Sequence, residues 1–548
     1  MKKQIKTLLC LMSWIGLGWI YTGCSSFLDV DAPSVVTDDF YDTKAGQEKL
    51  IVDVYSKFRS VFNTGELQYY GTDLYMAITE NETERMFNGY DVTFNSTAPV
   101  VGGYWNNLYK IVQESNILLT RCTPEVAGDD YAAMHAKGTF FRALAYYYLV
   151  ETFGPIPFYT EEQTEVLTAV TRTPEEDIYT FLIEDLEQVR GVLGFGNATA
   201  GEVNDAAIHF LLGKLYLTRA YKSYGSAADF TAAAALFEAI IGSSSYSLLD
   251  SYSAVYDENN QNNSEVVWAI QYGTDRNFQG SGNPQQGLFG FGIVALEPNL
   301  FTRNQSDYSS MNRGYWVIPS AHMYFTDPAL DTRYDATFKR EFIVNNPESE
   351  AYGQLGIYFP RWNDDSGETH DARNFYPFMT EEGYNWYPQS TALPELSTAI
   401  DRMPIVHKFK DTKMDWGGPG TREDVVFRLG DAYLLAAEAY LGGGQASMAT
   451  QRVNTLRERA AIDEAAYNDH LRVGSVDLDF VLDERARELF GEHDRWFDLK
   501  RTGKLVERAH AKNIFVQKYD NLNTDHLLRP IPQDEINKTT GLEQNKGY

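Results

Sequence analysis

Cysteine, basic residues and long apolar runs are all scarce in this sequence, and each shortage removes a class of protein. Three cysteines, Cys10, Cys24 and Cys122, in 548 residues are too few for a disulfide framework. Lysine and arginine total 47 against 76 aspartates and glutamates, a formal charge of −29. So acidic a chain argues against nucleic acid as a partner. After residue 20 no segment is long and apolar enough for a transmembrane helix, which needs about 20 residues. Common catalytic and metal motifs are missing as well. The nine histidines include no His-Glu-x-x-His zinc pair. Gly290-Phe291-Gly292 lacks the third glycine of a dinucleotide site. Asn363-Asp364-Asp365-Ser366-Gly367 looks like a calcium loop, but with Gly367 at the sixth place Trp362 and Arg373 fall at the first and twelfth, where ligands belong. No cofactor is expected, and a structural calcium ion has no motif behind it.

What is present begins at the N-terminus. Lys2, Lys3 and Lys6 precede an apolar run from Leu8 to Ile20 that ends at Thr22, Gly23 and Cys24, the pattern of a secretory signal. Small residues before a cysteine resemble the lipobox of bacterial lipoproteins. That resemblance implies cleavage after residue 23, a lipid on Cys24 and a membrane anchor of more than one acyl chain, since a single chain holds only marginally. Ordinary secretion with an incidental cysteine is the alternative. Residues 24–44, with Pro33 and several acids, read as an extended tether. Cys122 is then the one thiol of the mature body.

Beyond the tether two kinds of sequence alternate. Apolar residues recur three and four apart over 45–62, 105–121, 131–152, 174–193, 205–222, 228–241, 427–441, 446–461 and 476–491, which predicts amphipathic helices. The segment 250–424 is rich in Gly, Asn, Pro and aromatics and predicts loops with short strands, such as 265–270. The expected fold is therefore mainly α, with helices over 45–249 and 425–548 and an irregular lobe over 250–424. Leu212, Gly213 and Tyr216, followed by Ala233 and Phe237, have the spacing of a tetratricopeptide hairpin. Leu429, Gly430 and Tyr433, followed by Ala449 and Val453, repeat it. The small residue lets paired helices approach while the large ones fill the gap; generic helix pairs are the alternative.

Three further stretches complete a recognisable set: AKGTFFRALAYYYLVETFGPIPFY at 136–159, LDERARELFGEHDRWFDLKRTGKL at 482–505 and LRPIPQDEINKTTGLEQNKGY at 528–548. With the N-terminus, they resemble the SusD/RagB family of outer-membrane lipoproteins from Bacteroidota. The resemblance implies a helical fold on four tetratricopeptide-like units. It also implies a surface-exposed lipoprotein without catalytic activity, which captures oligo- or polysaccharide and acts as a lid on a SusC-like TonB-dependent transporter.

The residues themselves allow three functions. Glu484 and Glu488 stand one helical turn apart, as a retaining glycosidase requires, but arginines flank both and would hold them ionised, whereas an acid catalyst needs a raised pKa. A tetratricopeptide scaffold could bind peptide on its concave helices. A glycan site needs aromatic platforms beside Asn, Asp, Glu or Arg hydrogen-bonders. With aromatics at 14% of the chain, two clusters qualify. One is Asn81, Glu84, Arg85, Tyr90 and Asp91, leading to Tyr104, Trp105 and Asn107. The other is Trp316, Arg361, Trp362, Trp386 and Tyr387. Each aromatic could instead be packing; YWNNLYKIV also reads as a helix burying Trp105, Leu108 and Val112.

Overall fold

Each apolar period becomes a helix in the computed structural model, which describes residues 38–63, 65–77, 82–196, 199–275, 280–289, 298–302, 315–317, 319–358, 374–375, 405–414 and 419–548. The expected signal peptide, Cys24 and most of the tether lie outside the described residues. The tether's last part is not extended: Asp38–Asp42 forms a 3-10 turn. Arg121 holds that turn by ion pairs to Asp38 (2.9 Å) and Asp42 (3.4 Å).

The first helices are α1 (Lys44–Asn63), α2 (Glu66–Tyr69), α3 (Glu82–Gly89), α4 (Pro99–Arg121) and α5 (Tyr131–Phe153). α4 begins earlier than its periodicity suggests because Pro99 takes the first helical position, where a missing N–H costs nothing. α5 is buried on every side from Gly138 to Phe153, as its nearly uncharged sequence requires. Its one early internal charge, Arg142, is met by Asp185 at 2.6 Å and by Asn116 and the Thr160 carbonyl. Gly154 ends the helix at φ +75°, a conformation that costs glycine little.

α6 (Glu175–Val189) carries three acids in its first turn, facing the positive end of the helix dipole. α7 (Asp205–Ala220) is capped by Asn204, and α8 (Ala227–Ile241) by a box between Ser226 and Asp229. α9 (Leu429–Gly442) and α10 (Ala446–Ala460) form the second expected hairpin. α11 (Leu478–Glu488), α12 (Arg495–Arg501), α13 (Leu505–Lys512) and α14 (Ile514–Tyr519) follow. α4 packs on α5, α7 on α8, α8 on α9 and α9 on α10.

In the α7–α8 hairpin the expected device operates: a Cβ on Gly213 would stand 2.7 Å from the Phe237 ring, so only glycine lets the helices approach this closely. The second hairpin differs. A Cβ on Gly430 would meet the Arg428 guanidinium and, at 2.8 Å, the Glu488 carboxylate. There the small residue clears space for an ion cluster.

Short strands run through the irregular lobe and join it to the helical segments. β1 (Tyr75–Ala77) pairs antiparallel with β3 (Tyr315–Val317), and β2 (Val266–Ile270) with β9 (Asp424–Arg428). β4 (Phe338–Lys339) pairs with β8 (Ile405–Val406). β5 (Glu341–Ile343), β6 (Leu355–Tyr358) and β7 (Asn374–Phe375) make a three-stranded sheet whose last pair is parallel. β2 is buried throughout, which its unbroken apolar run demands. Its Trp268 donates Nε1–H to the Gly201 carbonyl at 3.0 Å and lies among Phe58, Phe140 and Phe427, joining strand pair to helices. Because β9 takes Phe427 and Arg428, the following helix starts at Leu429, two residues after its period does.

Candidate functional site

The carboxylates Glu484 and Glu488 both point into a fully buried ion cluster. Glu484 meets Arg333 at 2.7 Å, Arg457 at 2.8 Å and Arg487 at 3.3 Å. Glu488 meets Arg459 at 2.5 Å, Arg428 at 2.9 Å and Arg333 at 3.2 Å. Burial works against their charge, but the guanidiniums outweigh it and hold both carboxyls below the usual range. Neither is an available proton donor near neutral pH, so this pair lacks the acid a glycosidase needs. Asp331, Glu265, Glu492 and Lys408 extend the cluster, linking α10 and α11 to the Arg333 and Lys408 segments of the irregular lobe. Such clusters fix geometry more than they add stability.

A second buried knot lies under the β1–β3 pair. Asp73, two residues before β1, accepts both forks of Arg495, Nε at 2.9 Å and Nη2 at 2.6 Å. Tyr324, seven residues after β3, donates its hydroxyl to the same carboxylate at 2.7 Å. Burial opposes the charge of Asp73, yet Arg495, Tyr324 and Arg508 hold its carboxyl below the usual range. Asn513 holds the Thr72 carbonyl, and Asn88 of α3 donates to the Ala77 carbonyl and accepts from its N–H. Two distant chain segments are thereby pinned side by side, with Met76 directly opposite Trp316.

This pairing brings Trp316 of one predicted cluster beside the strand from which the other cluster begins. Glu84 and Arg85 fall on α3, which Asn88 ties to β1. Asn107 is half-buried on α4. Asn81, Arg361, Trp362, Trp386 and Tyr387 lie outside the described residues.

Two predicted platforms are instead core. Tyr90 is 2% exposed; its hydroxyl donates to the Gly71 carbonyl at 3.1 Å, Arg529 stands 5.5 Å over its ring, and its backbone sits at φ +46°. Trp105 is 3% exposed between Tyr109 and Phe153. Trp105 is closed to a ligand because its helix period points inward, and Tyr90, just past the end of α3, because its left-handed backbone turns the ring against Gly71; Tyr104 is buried too. Asp91 caps the Thr93 amide. Asp73, Asn88 and Tyr324 are not legible in the sequence as site supports, since their partners include residues far off in sequence; Arg495 stands out only as a member of the charged 482–505 stretch. Among the described residues no cluster of His, Cys, Asp and Glu could hold a metal, and no helix is long and apolar enough to cross a membrane.

Comparison with known proteins bears on both halves. A family model described as "Starch-binding associating with outer membrane" matches residues 26–195, and one described as "SusD family" matches 257–548. The SusD-like protein P25 of Formosa agariphila is 24% identical over 96% of each chain. The starch-binding protein SusD of Bacteroides thetaiotaomicron is 26% identical over 75% of this chain and 72% of its own. The fold matches that of surface glycan-binding protein A from Bacteroides thetaiotaomicron, solved with laminarihexaose, at a TM-score of 0.65, 18% identity and coverage of 92% and 99%. Since the second family model spans more than half of the sequence, this chain belongs to the SusD family.

Proposed function

We propose that the protein captures oligo- or polysaccharide at the cell surface and passes it to a SusC-like TonB-dependent transporter, performing no chemistry on it. The observation that carries the binding site is the β1–β3 pair, which sets Trp316 beside the segment leading to Asn81, Glu84 and Arg85. Trp316, Trp362, Trp386 and Tyr387 are the proposed platforms, with Asn81, Glu84, Arg85, Arg361 and Asn107 as hydrogen-bonders. A rigid helical body with ligand residues on its irregular segments suits this role. Family membership and the glycan-binding names of its relatives support the ligand class. The family model's description supports an outer-membrane location; a lipid on Cys24 is the proposed anchor, on the strength of the residues before it.

Calorimetry of Trp316→Ala and Tyr387→Ala against a glycan selected on an array tests the site. Affinity of the unaltered protein is expected at about micromolar to millimolar. Binding lost with an unchanged melt supports platforms; binding retained by both variants removes them. Pull-down from solubilised outer membranes should recover a TonB-dependent barrel, and Cys24→Ala should release a folded protein that takes up no radiolabelled palmitate.

A further inference from the structure

Among the described residues two buried arginines form no ion pair, Arg422 and Arg529. Arg422, two residues before β9, is 6% exposed, and the one hydrogen bond of its guanidinium among the described residues runs from Nη1 to the Lys410 carbonyl at 2.8 Å. The buried guanidiniums of Arg333, Arg428, Arg457, Arg485, Arg495 and Arg501 each face at least one carboxylate. Arg529 lacks one too, but it lies against Trp496, Phe94 and Tyr90 at 4.4, 5.0 and 5.5 Å. Arg422 has neither arrangement. Two carboxylates that act on it are already engaged: Asp411 accepts from the Lys413, Met414 and Thr421 amides, and Glu258 from the amide and hydroxyl of Thr412. Burial loosens the guanidinium's hold on its proton, and those neighbours only partly offset this. A buried unpaired charge is costly to keep.

Arg422 also lines a cavity of about 340 Å³, with Tyr252, Tyr256, Glu258, Asp335 and His407 among the other walls. That volume is at the small end of ligand pockets, about 300–1,000 Å³. Lys408 and Lys410 line it too, and exposed Ser253, Asp257 and Asp335 are further lining residues, Asp335 paired with Arg340 at 3.1 Å. A planar guanidinium with free N–H groups binds carboxylates in a fork. Carboxylates near the mouth accept hydrogen bonds from hydroxyls, which a bare anion does not offer. A ligand satisfying both must carry one carboxylate at one end and hydroxyls at the other.

We propose that this cavity binds a hexuronic acid residue, free or terminal on a glycan, with its carboxylate on Arg422 and its hydroxyls toward Asp257 and Asp335. The cavity shares no residue with the β1–β3 region, so this assignment does not depend on the platforms proposed there.

Calorimetry and melting of the full chain in mild detergent, with galacturonate and glucuronate as probes, test it. Both uronates should bind and raise the melting temperature, with galactose and glucose at least about tenfold weaker. Arg422→Gln should abolish that preference with little change in the melting temperature of the unliganded protein, because it removes a buried charge without an ion pair and keeps an amide that can still donate toward the Lys410 carbonyl. Ser253→Trp, at an exposed wall position, should block uronate binding and leave Arg422 in place. Trp316→Ala should leave it unchanged. Equal binding of neutral sugar and uronate, inorganic sulfate binding as well as uronate, or a preference that survives in Arg422→Gln would each overturn the assignment.

Discussion

Replacing Glu488 by glutamine separates a structural carboxylate from a catalytic one. The cluster around it contains six cations, Arg333, Arg428, Arg457, Arg459, Arg487 and Lys408, against five carboxylates, Asp331, Glu265, Glu484, Glu488 and Glu492. Glu488→Gln leaves six cations facing four carboxylates, and it turns an amide toward guanidiniums that can only donate. Removing one partner of a buried pair costs about 3–5 kcal/mol. With an unfolding entropy of about 2.1 cal/mol/K per residue, a chain of this size should then melt roughly 3–4 °C lower. The folded carboxyl lies below its ordinary value of 4.5, so its contribution is present above that value and is lost as pH falls through the acid range. The gap between variant and unaltered protein should therefore be full at pH 7 and shrink below about pH 4.5. Urea titration followed by tryptophan fluorescence at both pH values reads it, with reducing-sugar release assayed alongside. A loss under about 1 kcal/mol at pH 7 would refute the ion-cluster argument. Sugar release by the unaltered protein that vanishes in the variant would establish the glycosidase instead.

Three other perturbations probe separate parts of the molecule. Gly213→Ala puts a methyl group 2.7 Å from the Phe237 ring and should cost about 1–3 kcal/mol by overpacking; a neutral effect in urea titration would mean that the α7–α8 hairpin yields freely. Tyr324→Phe deletes the 2.7 Å bond to Asp73, worth about 1.5–3 kcal/mol as a bond to a charged group. Because that bond ties β3's sequel to β1, glycan affinity should fall with stability, and calorimetry showing unaltered affinity would detach the knot from the site. Burial pushes the Glu423 carboxyl up to about 7, against the Tyr272 amide and Arg59. Its folded form holds a proton that the unfolded chain releases near 4.5, so stability falls as pH rises between those values. Glu423→Gln should be more stable than the unaltered protein at pH 8, by about 3 kcal/mol, with the difference gone at pH 4.

The helices were legible because burial imposes a period on sequence, and that period survives whatever partner a helix finds. Phe140, Leu144, Tyr147 and Tyr148 announce a helix buried on all sides, and α5 is one. The limits of that logic show at Tyr90 and Trp105. An aromatic beside polar neighbours has the composition of a platform, yet composition does not say which way a side chain points. The period does, and for Trp105 it pointed inward. Gly430 shows a different limit: its spacing from Tyr433 matches the tetratricopeptide pattern, while the space it clears is filled by Arg428 and Glu488.

The least legible feature is also the one on which the proposed site depends. β1 and β3 are three residues each, too short for alternation to mark them, and more than two hundred positions apart. They pair because groups outside both strands leave them little freedom: Arg495 and Tyr324 share the Asp73 carboxylate, and Asn88 closes both hydrogen bonds of Ala77. Arg495 opens α12, which follows α11, and α11 is itself held by the Glu484 and Glu488 ion pairs. A chain of buried, directional contacts thus runs from the helical core to the backbone beneath Trp316. Hydrophobic packing alone tolerates sliding of short strands, whereas a bidentate guanidinium and a two-bond amide each accept a single register. The polar interior of this protein is therefore placed where the scaffold must dictate the position of its irregular segments.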